Sequence, residues 1–481
     1  MEATQSNRPM IIQAGMGVAV SDWKLARSVA SRGYMGVVSG TALDLVLTRR
    51  LQIGDPEGIL KEAFDAFPIQ EIANKVWSKY FIEGGKEPGK PFKSKPVYTV
   101  KPSQAVLELT VLANFVEVYL AKHGHDGVVG INLLEKIQLP TVPSLFGAML
   151  AGVDYVLMGA GIPRQIPAIL DRLSALEPAD LKIDVAGAIA GDDFTTSFDP
   201  KKLGDFGVTH LKRPQFLAII SSNALATTLV RKCSPPVDGF VIEGSRAGGH
   251  NAPPRGGIQL DDQGEPIYGP KDEPDLAAIK ELGKPFWLAG SWGSADRLQE
   301  ALELGAEGIQ VGTAFAFCNE SGIDPILKQK VIQKSRDKDV NVVTDIAASP
   351  TGFPFKVVGV EGTLSDPDIA NGRERICDLG YLRQLYKKED GSVGYRCPGE
   401  PIEDYLAKGG LEIDTVNRRC ICNALASTIG LGQTRNGRLE PAIVTAGNDV
   451  ENIGQFLKEG EVSYSADEVL ERLALSAHPK I

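Results

Sequence analysis

Positive charge is the first thing this chain is short of. Its 51 Lys and Arg are outnumbered by 61 Asp and Glu, for a net charge of −10 over 481 residues. A general nucleic-acid binder needs a basic footprint, and none is supplied. Cysteine is scarce too: six are scattered along the chain, too few for a disulfide scaffold. Long apolar runs are missing. The most apolar window, Val142 to Gly161, is broken by Gly147, Gly152 and Asp154, and it reads as helix, turn and strand rather than a membrane span. The opening residues, MEATQSNRPM, lack the apolar core of a signal peptide. There is no Walker A loop, no G-x-S-x-G elbow and no H-E-x-x-H. These absences predict a cytoplasmic protein that engages neither membrane nor nucleic acid and works on a small molecule.

What the chain does have is alternation. Hydrophobic content of 43% and charged content of 23% are ordinary for a globular protein. Short apolar runs of the kind that form buried parallel strands begin near Ile11, Met35, Val128, Tyr155, Phe216, Phe240, Phe286 and Ile309. Each is followed by a helical pattern or an insertion; Ser21 or Asp22, for example, is placed to cap the first helix. Eight such units predict an α/β fold, a (β/α)8 TIM barrel over residues 1–322, with its site at the C-terminal ends of the strands. A doubly wound sheet is the alternative, but the turn after the first strand lacks a full G-x-G-x-x-G. Two regions stand outside the alternation. Residues 45–123 form a helical insertion, which reads as a lid, a contact in a homo-oligomer or a solvated elaboration. Residues 323–481 form a C-terminal extension that wraps the barrel or covers its mouth. Within it, Val342 to Val360 reads as an apolar loop, and Asp390-Gly391 turns a hairpin. Ile258 to Tyr268 reads as another hairpin.

The stretch carrying the most chemistry is Asp238 to Gly257, DGFVIEGSRAGGHNAPPRGG. A strand ends at Glu243, and a turn containing Gly248 and Gly249 presents His250. Glycine allows close backbone approach to a ligand, and histidine is suited to proton transfer near neutral pH. Two later strand ends are also glycine-rich. Ala289-Gly290-Ser291-Trp292-Gly293 and Gln310-Val311-Gly312-Thr313 fall after strands seven and eight, where barrels commonly hold phosphate on backbone N–H groups. No metal is assigned. Cys377, Cys397, Cys420 and Cys422 are the candidates in the extension, but they contain no C-x-x-C.

These motifs resemble the nitronate monooxygenase (2-nitropropane dioxygenase) family. The residues that carry the resemblance are Gln13-Ala14-Gly15-Met16-Gly17, Gly130-Ile131-Asn132-Leu133, Ala247-Gly248-Gly249-His250 and the run from Leu304 to Thr313, LGAEGIQVGT. The family is a set of FMN-dependent TIM barrels that includes flavin enoyl-ACP reductases. The resemblance implies FMN, with its phosphate on Gly290, Ser291, Gly312 and Thr313 and with Gln310 and Val311 alongside. Gly15, Met16, Gly17 and Asn132 match flavin-lining positions. Glu243, Gly248 and Gly249 fall beside the flavin, and His250 matches the catalytic histidine. The implied activity is oxidation of alkyl nitronates with O2. The alternative is an enoyl-thioester reductase with NAD(P)H as reductant, and a flavin-free phosphate-binding barrel is the alternative of another class. Three departures stand out: Glu243 where a neutral Gln is usual, Asn251-Ala252-Pro253-Pro254 after the histidine, and the insertion and extension themselves.

Overall fold

The eight apolar runs form eight parallel strands in the computed structural model, which describes residues 8–474. They are β1 (Ile11–Gln13), β2 (Met35–Ser39), β3 (Val129–Leu134), β4 (Tyr155–Gly159), β5 (Gln215–Ile220), β6 (Gly239–Glu243), β7 (Phe286–Ala289) and β8 (Gly308–Val311). Each pairs in parallel with its neighbours in chain order, and β8 closes on β1 through Ile309 and Ile11. The closed barrel excludes the doubly wound alternative. The expectation for the N-terminal segment falls, for residues 1–7, outside the described residues.

Strand periodicity divides the core in two. Alternate residues, Ile12, Met35, Val37, Leu157, Leu217, Val241 and Trp287, fill the barrel interior as one buried cluster. Their neighbours face outward onto the helices. The helix Trp23–Ala30 lies so close to β2 that a Cβ on Gly36 would fall 1.9 Å from the Ala26 carbonyl oxygen, so only glycine fits there.

The stretch 45–123 contains the helices Ile59–Asp65, Gln70–Tyr80 and Gln104–Lys122, preceded by Leu43–Ile53. The last of these packs between Trp23–Ala30 and Thr141–Leu150, taking a place in the barrel's outer ring. Among the described residues it is the one helix long and apolar enough to cross a membrane. Here it is packed inside the protein, and Glu108, Asn114 and Glu117 on it are buried. Glu117 is held by a charge network. Asp22 caps Trp23–Ala30 by accepting from the Lys24 and Leu25 amides, and Glu117 accepts from the Trp23 amide at 2.8 Å. Arg50 bridges the two carboxylates, at 2.7 Å to Glu117 and 2.9 Å to Asp22. Burial pushes both carboxyls above their usual range, and Arg50 opposes that shift.

Beyond residue 322 the chain forms the helices Pro325–Arg336, Ile421–Thr428 and Ala466–Ala474, and Gln384–Lys387 pairs with Val393–Arg396 as the expected hairpin. Two readings need correction. Val342–Val360 is not simply a loop: Val342–Asp345 pairs antiparallel with Phe355–Val358, and only the intervening residues are irregular. Pro350, Gly352 and Pro354 mask this pairing in the sequence. In Ile258–Tyr268 no strands form; a single bridge, Leu260 to Pro266, closes the turn.

Replacing Arg50 by Met leaves two buried carboxylates without their shared cation. The expected loss is about 3–5 kcal/mol of stability, read from the shift in the urea unfolding midpoint. An unchanged midpoint would show that the network is not needed to hold the insertion on the barrel.

Candidate active site

The C-terminal ends of the strands open on one cavity of ≈ 230 Å³. Gly15, Met16 and Gly17 line it from the turn after β1, and Asn132 from β3. Glu243 lines it at the end of β6, with Gly248, Gly249 and His250 from the turn that follows. Gly290 and Ser291 after β7 complete the wall with Gln310 and Val311 of β8 and with Gly312 and Thr313 beyond it. Every cofactor and catalytic candidate named from the sequence therefore faces the same space. Past His250 the cavity meets a polar groove of ≈ 1080 Å³, along which stand Lys136, Arg164, Lys232 and Arg255. Glu243 and His250 border both spaces.

The chain beyond residue 322 holds the histidine turn in place. The Lys356 amide donates to the Gly249 carbonyl, and the Asn251 amide to the Pro354 carbonyl, both at 2.9 Å. The Gly249 amide donates to Thr445 Oγ1 at 2.9 Å. Gly248 is pressed against the same segment: a Cβ there would lie 2.7 Å from the Ala446 carbonyl carbon. That glycine is needed for the extension's backbone, a different use from the flat cofactor surface expected of it. His250 itself is half-buried, its ring edge-on to Phe355 at 4.8 Å. Its Nε2 is 2.7 Å from Ser349 Oγ, which lies 2.8 Å from Thr351 Oγ1. Burial lowers the imidazole to about 4, so the ring is neutral at physiological pH.

Glu243 is the opposite case. Burial without a compensating partner raises its carboxyl to about 7, which leaves it poised between acid and carboxylate near neutrality. The concern raised by its sequence, a fixed negative charge beside the cavity, is thus largely relieved by desolvation. It is also the group in this wall whose proton affinity best matches the range useful for general acid–base work.

Several buried polar atoms have no protein partner. Asn132 Oδ1 and Gln310 Oε1 are orphaned acceptors, although Asn132 Nδ2 donates to the Gly15 carbonyl at 3.1 Å. Ser291 is held at φ 66°, a left-handed conformation uncommon outside glycine and a frequent mark of a functional turn. Orphaned acceptors and a strained turn suit a planar heteroaromatic ligand bearing N–H donors. Sequence reasoning missed Ser349, Tyr381, Leu382, Leu425, Thr445 and Asp449, all beyond residue 322. All but Ser349 line the cavity. Of the tail cysteines only Cys422 lines it; Cys377 and Cys397 are free thiols that share a hydrogen bond, and Cys420 is buried elsewhere. Among the described residues no group of three or more His, Cys, Asp or Glu is arranged to hold a metal ion.

The state of His250 has a measurable consequence. The unfolded chain takes up a proton near pH ~6.5 and the native imidazole does so only near 4, so this residue's contribution to stability falls as the pH drops through that interval. In an NMR titration the His250 ring is expected to remain neutral until the pH approaches 4. A midpoint above about 6 would mean that the ring is solvated.

Residues 195–351 match the family model described as nitronate monooxygenase. Among curated proteins, a "Probable nitronate monooxygenase" of Bacillus subtilis (strain 168) is 35% identical over 108 residues, which cover 22% of this chain and 29% of that protein. A "Nitronate monooxygenase" of Pseudomonas aeruginosa is 28% identical over 124 residues, covering 25% of this chain and 32% of the relative. The aligned stretches therefore span under a third of either relative. FabK from Thermotoga maritima superposes with a TM-score of 0.47 at 13% identity, over 98% of this chain and 92% of that one. The matched segment 195–351, which carries the His250 turn, β7 and β8, is therefore similar to the nitronate monooxygenase family.

Proposed function

We propose that the protein is a flavin-dependent oxidoreductase that holds FMN in the barrel-mouth cavity and oxidises alkyl nitronates with O2. The observation that carries this reading is the convergence on one cavity of a neutral histidine, two orphaned amide acceptors and two glycine-rich strand ends. In this reading Asn132 and Gln310 meet the flavin ring, and the turns at Gly290-Ser291 and Gly312-Thr313 hold its phosphate. Bound flavin supplies a two-electron acceptor; the protein supplies position and proton transfer.

When the substrate arrives as the neutral nitroalkane, His250 takes the proton from the carbon bearing the nitro group and so produces the nitronate that is oxidised. When Nε2–H donates to Ser349 Oγ and that hydroxyl donates on to Thr351, Nδ1 keeps its lone pair and serves as the base. Phe355 fixes the ring plane. Glu243 stands by as a second proton carrier in the same wall. The cavity's remaining wall is apolar, with Leu134, Ile137, Leu382, Ile421 and Leu425, and it suits an alkyl substituent while limiting water.

A second reading, an enoyl-thioester reductase fed by NAD(P)H, is favoured by the groove. Its ≈ 1080 Å³ is more than a small nitronate needs, and it could take the long polar arm of a thioester.

The tests begin with colour. Purified protein is expected to absorb near ~370 and ~450 nm and to release FMN on denaturation. Colourless protein that cannot be reconstituted with FMN overturns both readings. Anaerobic bleaching by an alkyl nitronate without NADH supports the first reading; bleaching by NADH with reoxidation by an enoyl thioester supports the second. His250→Ala is expected to keep the flavin and, with the neutral nitroalkane as substrate, to lose about 10²–10⁴ in turnover. Loss of flavin instead would make His250 a structural residue.

A further inference from the structure

The corner proposed for the phosphate contains a carboxylate. Asp449 reaches it from the extension and shares the cavity wall with Gly290, Ser291, Gly312 and Thr313. Its placement is tight: a Cβ on Gly293 would be 3.4 Å from Oδ2, and one on Gly447 would be 2.8 Å from Oδ1. Thr313 Oγ1 accepts from the Gly447 amide at 3.0 Å and is bonded to the Asp449 side chain, so its one hydrogen goes to the carboxylate. The hydroxyl best placed to donate to an anion is therefore already used. Asp449 Oδ1 is buried and has no hydrogen-bond partner.

The surroundings do little to neutralise this carboxylate. From the loop after β6, Arg246 attracts it weakly; that side chain is exposed. From the segment before the last helix, Tyr464 donates its hydroxyl hydrogen to the Ala314 carbonyl at 2.8 Å and not to Asp449. The turns after β7 and β8 bring only uncharged residues, Gly290 to Gly293 and Gly312 to Ala316. Burial accordingly pushes the Asp449 carboxyl above its usual range. A phosphate dianion beside an ionised aspartate in such a corner is a like-charge contact of the kind that forces two acids to share one proton.

We infer that Asp449 makes this corner take its phosphate together with one proton, which bridges the carboxylate and the phosphate oxygens. The inference rests on the flavin reading above and adds a specificity residue to it. With the proton in place, Asp449 and a phosphate oxygen form a hydrogen bond, and the orphaned Oδ1 gains its partner. Without the proton they repel. FMN affinity is then linked to pH through its phosphate, a linkage that riboflavin, which has the same ring and sugar-alcohol chain but no phosphate, does not share.

The test is equilibrium binding of FMN and of riboflavin to the full chain stripped of flavin, followed by flavin fluorescence. Uptake of one proton predicts that the ratio of the FMN to the riboflavin dissociation constant rises by up to about tenfold per pH unit between about pH 6 and about pH 9, the titration of Glu243 acting on both flavins alike. D449N is expected to bind FMN more tightly than the parent at the alkaline end and to lose most of the slope. Parallel pH curves for the two flavins on the parent protein overturn the inference, and they do so even if D449N fails to fold. D449N weakening both flavins equally also overturns it and assigns Asp449 to the sugar-alcohol hydroxyls. If neither flavin binds at any pH, it is the flavin reading itself that fails.

Discussion

The His250 turn depends on hydrogen bonds it cannot make within the barrel. The Gly249 amide and carbonyl and the Asn251 amide, three backbone groups of one loop segment, find their partners at Thr445, Lys356 and Pro354. Unpaired, each would be a backbone group beside a largely apolar cavity, at a cost of about 1–3 kcal/mol apiece. The chain beyond the last barrel strand is therefore part of the site. It also sets the imidazole ring through Ser349 and Phe355, and it lines the apolar side of the cavity through Leu382 and Leu425.

One physical cause unites the site's electrostatics. The His250 imidazole falls to about 4, Glu243 rises to about 7, and Asp449 rises above its ordinary range, in each case chiefly because the charged form has lost its water. Every shift favours the neutral species. Desolvation thus lowers the charge carried by the cavity wall, while Lys136, Arg164, Lys232 and Arg255 stand outside it along the groove. Such a partition suits chemistry in which protons move over short distances and an uncharged ring system must lie against the wall.

The barrel was legible in the sequence because its strands are buried on both faces. A run such as FWLA or GIQV has no polar face to disguise it, and the glycines after it mark the turn. The clustering of Gly15, Asn132, His250, Gly290 and Gly312 followed from the fold, since all sit at the same end of the strands. What could not be read was contact at long range. Nothing local in Ser349 or Asp449 announces a histidine or a phosphate corner. The pairing of Val342–Asp345 with Phe355–Val358 is hidden by two prolines and a glycine in the turn it spans. The helix Gln104–Lys122 was visible as a helix, but its place in the outer ring is set by the fit of its side chains on Trp23–Ala30 and Thr141–Leu150. The environments that set Glu243 and His250 are likewise supplied by residues far away in the chain.

The cavity wall begins at Ala14 and is completed by Asp449. A ribosome making this chain releases all eight strands well before residues 445–449, the segment against which Gly248 is pressed. A barrel emerging during synthesis thus passes through an interval in which its mouth lacks the wall that residues 445–449 supply.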